Sequence, residues 1–385
     1  MINYGKQYLD TRDIKAVIKV LKNDLITQGP EVIKFENKIK NKFGSKYCNV
    51  VSSGTAALHL SGMALAWKKN DIILTSPIGF LASANTIVYN NAKPDFVDID
   101  PSTYNIDPNK AEDKVKYYLK KKKRVKAIIA IDYAGRPCDW KSLNQISNKY
   151  GIKLINDNCH AIGAKYSNEI SYASKYADIV THSYHPVKNI TTGEGGAVLT
   201  NNKEIFEKIK TLRSHGMIKK STKKEFKNKP WFYEMKELGF NYRISDIQCA
   251  LGISQLNKLN KFIKKRNYIA KIYNSFFNDT DLFTTPQVQE NSIHAFHLYP
   301  LLINFKKSKI SKEILFKKLR KKGILPQVHY IPIHLQPFYK KKYDFRKGDY
   351  PEAEKFYDQE ISLPIFYSLK YNDVKFISET ILKNI

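Results

Sequence analysis

Cysteine is scarce in this chain of 385 residues: Cys48, Cys138, Cys159 and Cys249 are the four, they lie far apart, and none belongs to a CxxC pair. That spacing excludes a zinc ribbon and offers no disulfide framework. The opening stretch MINYGKQYLDTRD lacks the apolar core of a secretory signal, so a cytoplasmic protein with free thiols is expected. Long apolar runs are missing too. The relevant one, Ala56 to Trp67, is interrupted by His59, Ser61 and Gly62, whereas a membrane span needs roughly 20 apolar residues. Neither a Walker A motif nor GxGxxG occurs; Gly193-Glu194-Gly195-Gly196 fails the second pattern, which weakens nucleotide-hydrolysing and dinucleotide readings. Arginine is rare as well. Only eight of 65 basic residues are Arg, against 36 acidic residues and a formal net charge of +29. Such a charge first suggests nucleic acid, but Arg is the better bidentate phosphate reader and no recognition motif is present. The Lys excess reads as compositional bias with solvated helix ends such as Lys120–Arg124, and no nucleic-acid or membrane partner is expected.

What is present is apolar material for a packed globule, 42% hydrophobic and 12% aromatic, in a chain long enough for two domains. Strand-like and helical stretches alternate. Tyr47–Val51 is followed by SSGT and a helix over Ala56–Trp67; Asp71–Thr75, Pro94–Ile99 and Ala127–Ile131 read as strands; a helix over Asp139–Tyr150 stops at Gly151; Lys153–Asn156, Ile179–Ser183 and Ala197–Thr200 read as further strands. This alternation predicts an α/β domain with a mostly parallel sheet, in which ligands gather at the carboxyl ends of strands. Asp10 or Thr11 caps a first helix ending near Leu21, and Ser245 with Gln248 makes a capping box before a helix over Ile247–Phe262. Beyond residue 263 the pattern changes to strand His294–Asn304, helix Ser311–Lys322, strand Leu325–Val328 and two short helices. The expected division is a large domain over 1–262 and a smaller α+β domain over 263–385.

Three features sit at predicted strand ends. Ser52-Ser53-Gly54-Thr55 lies between a strand and a helix, where backbone N–H groups and the helix dipole can hold a phosphate, although an ordinary helix cap explains it equally well. Asp157 ends the strand beginning at Lys153. Lys188 follows the strand Ile179–Ser183 beside the turn Thr-Thr-Gly-Glu-Gly-Gly. Each alone is weak, an Asp being often a cap and a Lys being common here. Together, a phosphate turn, an acid and a lysine about 30 residues beyond it describe a pyridoxal 5′-phosphate site, in which the acid keeps the pyridinium nitrogen protonated and the lysine bonds the cofactor.

These residues lie in longer stretches, SSGTAALHL at 52–60, DNCHAIGA at 157–164, SYHPVKNITTGEGGAVLT at 183–200, RSHGM at 213–217 and LGFNYRISDIQCALGISQL at 238–256. Through them the chain resembles the DegT/DnrJ/EryC1/StrS sugar aminotransferases over nearly its whole length. The resemblance implies the fold type I architecture of pyridoxal phosphate-dependent transferases, with a mixed, mostly parallel sheet flanked by helices and a smaller C-terminal α+β domain. LITQGP at 25–30, SPIGFLASAN at 76–85, DYAGRPCDW at 132–140 and ILPQVHYIPIH at 324–334 are most similar to the pseudaminic-acid branch. That branch implies transfer of an amino group from L-glutamate to C4 of a UDP-linked 4-keto-6-deoxy-N-acetylhexosamine. Branches making legionaminic- or bacillosamine-type sugars, perosamine or 4-amino-arabinose are the alternative.

Residue by residue, the resemblance puts Lys188 at the cofactor-bonding and proton-moving position and Asp157 opposite the pyridinium nitrogen. It puts His160 and Phe80 on the two ring faces, and Ser183, Gly54 and Thr55 at the phosphate. Asn241 matches a phosphate contact given by a second subunit, which implies a homodimer with a shared site. Tyr4, the run Asp24, Leu25, Ile26 and Thr27, and the run Gln327, Val328, His329 and Tyr330 match positions lining the sugar-nucleotide pocket, with Gly54, Ser183 and Asn241 beside them; Arg243 is placed against an anionic group. Two positions depart from the family pattern, Gly79 where Ser is frequent and Tyr184 where Phe is. A sugar dehydratase would carry His in place of Lys188, and a regulator built on this scaffold would need a fused DNA-binding domain, for which no segment remains before Tyr4 or after residue 380. No metal is expected: His294 and His297, three apart on a predicted strand, should point to opposite faces. His329 and His334 are expected to line the pocket or to pack.

Overall fold

The computed structural model describes residues 1–219, 229–277 and 280–385. Its centre is a seven-stranded sheet in the order Tyr47–Val51, Gly196–Thr200, Ile179–Ser183, Lys153–Asp157, Val125–Ile131, Ile72–Thr75, Lys93–Phe96. Runs such as IILT and VKAIIAI are rich in β-branched residues without polar alternation, as strands covered on both faces require. Gly196–Thr200 pairs antiparallel with both neighbours, so the other six strands share one direction and their carboxyl ends lie along one edge. The return strand passes tightly beneath the turn after Val51: a Cβ on Gly196 would lie 2.4 Å from the Ser53 carbonyl oxygen.

The helices begin and end where their caps dictate. Ser53 Oγ accepts from the Ala56 N–H to start Gly54–Ala64; Asp139 caps Trp140–Tyr150, and Gly151, at φ 62°, ends it in the left-handed region. Asp10 caps Thr11–Leu21, and the capping box of Ser245 and Gln248 starts Asp246–Leu256.

Three expectations are corrected. The helix predicted over Ile247–Phe262 is two helices, Asp246–Leu256 and Leu259–Phe277. Lys258, at the break, turns inward to bind Asp13 and, at 3.1 Å, Asp10, while the Gln255 amide donates to the Tyr8 carbonyl. The second helix runs through residue 262: Leu259, Phe262 and Ile263 pack into the core of the main sheet, and Ile269, Tyr273 and Phe277 pack into a separate core with strands Tyr299–Ile303 and Glu360–Leu363. The strand predicted over Leu325–Val328 is only Ile324–Leu325, parallel to Ile2–Asn3, because Pro326 has no N–H for a ladder. The strand predicted from His294 starts at Tyr299. Residues 294–298 form an irregular segment with Phe296 at φ 44°, tied to a neighbouring loop by Ala295 N–H to Gly135 O and Leu298 N–H to Ala134 O. The opposite-face argument for His294 and His297 therefore has no strand to act on. Among the described residues no group of three or more His, Cys, Asp or Glu is placed to hold a metal ion, and no helix is long and apolar enough to cross a membrane.

One fully buried carboxylate organises the carboxyl edge. Asp132 Oδ1 accepts from the Cys138 N–H and the Trp140 indole at 2.8 and 2.9 Å. Its Oδ2 accepts from Asn156, Asn158 and the Tyr172 hydroxyl at 3.1, 2.9 and 2.7 Å. Burial pushes its pKa up, and the hydrogen bonds pull the other way. Asp132→Ala orphans several buried donors at once, and the variant should lose about 3 kcal/mol or more of stability. Equilibrium urea unfolding checks this; a midpoint equal to that of the parent protein would defeat it.

Candidate active site

Along the carboxyl edge lies a cavity of about 740 Å³. The turn after Val51 forms one wall. Because Ser53 Oγ is engaged by Ala56, the N–H groups of Gly54 and Thr55 at the start of the helix keep no helical partner. Gly54 packs closely against the end of the strand Ile179–Ser183: a Cβ there would lie 2.8 Å from Ser183 Cβ and 3.3 Å from Cys159 Sγ. Asp157 ends its strand on the cavity wall, 6% exposed. Its Oδ2 accepts from Ser83 Oγ at 2.7 Å and its Oδ1 from the Cys159 N–H at 3.3 Å.

Lys188 enters from the turn after Ile179–Ser183, its N–H bonded to the His185 carbonyl at 2.9 Å. Among the described residues its amine has no ion-pair partner, and it stands 3.4 Å from His297 Nε2. Burial lowers the pKa of the amine; Cys159 and Asp157 pull it upward and lose. Burial likewise drives His160 and His297 well below the usual imidazole value and His329 to about 3, with Lys188 adding to each. The site thus gathers three neutral imidazoles around one amine. His160 Nδ1 accepts from the Ala134 N–H at 3.3 Å, so the ring proton sits on Nε2 and is donated to the Tyr330 hydroxyl at 3.2 Å.

The stretch Gln327–Tyr330 closes the far side. The His329 N–H donates to Glu360 Oε2 at 2.9 Å and its carbonyl accepts from the Tyr133 hydroxyl. Tyr4 packs with its ring 5.0 Å from that of His329, and Phe80, itself exposed, stands 6.0 Å from Tyr330. Glu360 is wholly buried, and burial pushes its carboxyl up to about 7, against the pull of Ser362, Lys312 and the His329 N–H.

Of the residues expected at the site, Tyr4, Gly54, Thr55, Phe80, Asp157, His160, Ser183, Lys188 and Gln327 to Tyr330 all line this cavity. Asp24, Leu25, Ile26 and Thr27 do not; they are exposed on a strap pinned to buried Asp246, whose N–H bonds Ile26 O and whose carboxylate takes the Gly29 and Glu31 N–H groups. Asn241 is exposed, bridged to Ser214, and Arg243 lines a separate hollow with Glu36 and Arg213. Sequence reasoning gives Ser83 and His297 no role at the site, although Ser83 lies in the stretch 76–85 and His297 is weighed only as a metal ligand; each meets its partner, Asp157 or Lys188, only across the fold.

The donor set fits pyridoxal phosphate. Two N–H groups at a helix start without a helical partner and the Ser183 hydroxyl suit a phosphate, a buried carboxylate suits a ring nitrogen cation, and an amine without an ion-pair partner among the described residues suits an aldehyde. Comparison with known proteins agrees. The family model described as the DegT/DnrJ/EryC1/StrS aminotransferase family matches residues 7–382. A Campylobacter jejuni protein named UDP-4-amino-4,6-dideoxy-N-acetyl-beta-L-altrosamine transaminase is 39% identical over 381 residues, covering 99% of this chain and 96% of that one. The solved Helicobacter pylori PseC, an aminotransferase of pseudaminic acid biosynthesis, superposes with TM-score 0.89 at 34% identity, covering 100% and 98% of the two chains. A Streptococcus pneumoniae protein described as a putative sugar aminotransferase, solved in its PMP form, gives TM-score 0.90 at 26% identity over 99% of this chain and 98% of that one; its PLP form gives 0.88 over 99% and 97%, also at 26%.

Glu360 yields a test of the loop's support. An acid whose folded-state pKa lies above its unfolded value of 4.5 keeps its proton longer in the folded state. The stability it lends is full below 4.5 and is lost as pH rises to about 7. Glu360→Gln keeps an acceptor for the His329 N–H and cannot titrate. The difference in unfolding free energy between parent and variant should therefore change by on the order of 1 to 3 kcal/mol between pH 5 and pH 7.5, the parent losing more. Denaturant titrations at both pH values read it; parallel curves would show that Glu360 does not titrate there.

Proposed function

Since the chain belongs to the DegT/DnrJ/EryC1/StrS aminotransferase family, we propose that it moves the amino group of L-glutamate to C4 of a UDP-linked 4-keto-6-deoxy-N-acetylhexosamine, forming UDP-4-amino-4,6-dideoxy-N-acetyl-β-L-altrosamine. The cofactor is pyridoxal phosphate, which supplies an electron sink and carries the nitrogen between donor and acceptor. The observation that carries the reading is the half-buried Lys188, whose amine has no ion-pair partner among the described residues, in one cavity with the buried carboxylate of Asp157. The likeness to altrosamine transaminases over nearly the full length of both chains supports the choice of sugar.

In this reading Gly54, Thr55 and Ser183 would hold the phosphate, Asp157 would keep a proton on the ring nitrogen, and His160 and Phe80 would bound the ring. Lys188 tethers the cofactor. Once displaced, it works as general base and acid: Nζ takes the α-proton of glutamate in one half-reaction and delivers a proton to sugar C4 in the other. Only a neutral amine can take the first proton, and burial holds Lys188 in that direction. Tyr4 and Gln327–Tyr330 line the space for the sugar nucleotide.

The active form is a homodimer. Lys188 is the one Lys or Arg lining the cavity among the described residues, although the substrates carry a diphosphate and two carboxylates. Asn241, Arg243 and the strap Asp24–Thr27 stand outside the cavity of their own chain, near exposed apolar side chains, Leu25 and Ile26 on the strap and Trp231, Tyr233, Met235 and Leu238 ahead of Asn241. A second subunit that covers this surface brings polar and cationic groups to its neighbour's site. Four unpaired cysteines fit a reducing cytoplasm.

Lys188→Ala should keep the fold and the dimer, lose borohydride-fixed cofactor on the peptide containing residue 188, and lower turnover about a thousandfold or more; normal turnover would refute the assignment. Incubating the purified protein with glutamate and a panel of UDP-, GDP- and dTDP-linked 4-keto and 3-keto sugars, read by mass spectrometry, tests the substrate. A single 4-amino product from the UDP-linked 4-keto-6-deoxy sugar is expected. Reaction with only GDP- or dTDP-linked sugars would overturn the substrate and leave the family untouched.

A further inference from the structure

His297 reaches Lys188 from 109 residues away in sequence, Nε2 to Nζ at 3.4 Å. Its segment is clamped in place. Buried Arg266 donates from Nη1 to the carbonyls of Phe296, His297 and Ile365 at 2.9, 3.3 and 2.9 Å, and Asn189, next in chain to Lys188, donates to the Ala295 carbonyl at 3.3 Å. The imidazole is 4% exposed, and among the described residues its Nδ1 has no hydrogen-bond partner. A buried N–H without a partner is rarer than a buried acceptor without one, so the ring proton belongs on Nε2, facing the lysine. The neighbouring groups offer no better partner for the amine. The Asp157 carboxylate is engaged by Ser83 and the Cys159 N–H, and the His160 Nε2 proton is donated to Tyr330. The Cys159 thiol is held un-ionised by burial, and His329 is a neutral imidazole whose Nδ1 is itself unpartnered among the described residues.

We propose that His297 receives the free amine of Lys188: its Nε2–H donates to the lone pair on Nζ, which only the neutral amine possesses. The inference rests on the role given to Lys188 above. No proton changes hands. The imidazole positions the amine and favours the form that can accept a proton from substrate.

The test uses the full-length protein. In the unsubstituted, cofactor-free chain, ¹⁵N-histidine NMR should show His297 protonated on Nε2 and bare on Nδ1; a proton on Nδ1 overturns the proposal, whatever the variants do. Competitive labelling of the same protein with trace acetic anhydride across pH, mapped to the peptide containing residue 188, gives the neutral fraction of Lys188. His297→Leu should reduce that fraction roughly fivefold at a pH below the lysine's pKa, the effect of losing one ordinary hydrogen bond. His297→Gln, whose amide can donate, should stay within about twofold of the parent, as one retained hydrogen bond implies. An unchanged or larger neutral fraction in His297→Leu overturns the inference. Borohydride fixation of pyridoxal phosphate separates the two levels. If it fails at Lys188 in the parent, the reading of the site falls and this inference with it. If it succeeds and His297→Leu labels like the parent, the inference alone falls.

Discussion

The carboxylate of Asp132 takes five hydrogen bonds from neutral donors and makes no ion pair among the described residues. A buried carboxylate is costly unless its oxygens are filled, and here the filling is what shapes the site. Two of the donors, Asn156 and Asn158, flank Asp157, and the Asp132 N–H bonds the Asp157 carbonyl at 3.2 Å. The residues that follow Asp132 extend the same frame. The Tyr133 hydroxyl holds the His329 carbonyl, and the Ala134 N–H sets the His160 tautomer. The acid at the strand end, the imidazole beside it and the loop across the cavity thus answer to one short segment after Val125–Ile131.

The electrostatics of the cavity run against those of the chain. A protein with net charge +29 places, among its described residues, one lysine in this cavity and sets neutral imidazoles around it. The surface lysines stay in water, many beside acidic partners, where exposed pairs contribute little. Inside, burial decides protonation. It lowers Lys188 and the three histidines and raises Glu360, in each case by penalising the charged form. An amine with no ion-pair partner among the described residues and a carboxylate tied only by neutral donors are two groups left for a ligand to engage. That is a stricter condition than mere proximity, and Asp157 and Lys188 meet it while Asp13 and Lys258, paired to each other, do not.

Burial also explains which parts of the site could be read in advance. Gly54, Asp157, Ser183 and Lys188 stand at or just after strand ends, and the strands announce themselves by continuous apolar runs, so their places on one edge were legible from the sequence. Ser83, His297 and Glu360 carry no such signal. Ser83 and His297 meet their partners 74 and 109 positions away, and Glu360 meets the His329 N–H at 31. The break between Leu256 and Leu259 was hidden for the same reason: apolar residues continue across it, and only the inward turn of Lys258 toward Asp10 and Asp13 interrupts them.

From residue order alone came the α/β class, the caps that start the helices, the parallel sheet, and the set of residues at its carboxyl edge, because hydrophobic period and capping chemistry act over a few residues. The tertiary structure alone decided that the Lys188 pKa is lowered by burial and its amine turned toward His297, that Asp157 is anchored by Ser83, and that Asn241, Arg243 and the strap 24–27 lie outside their own chain's cavity. Protonation and reach depend on what is packed around a group from distant parts of the chain, and no local pattern of residues encodes that.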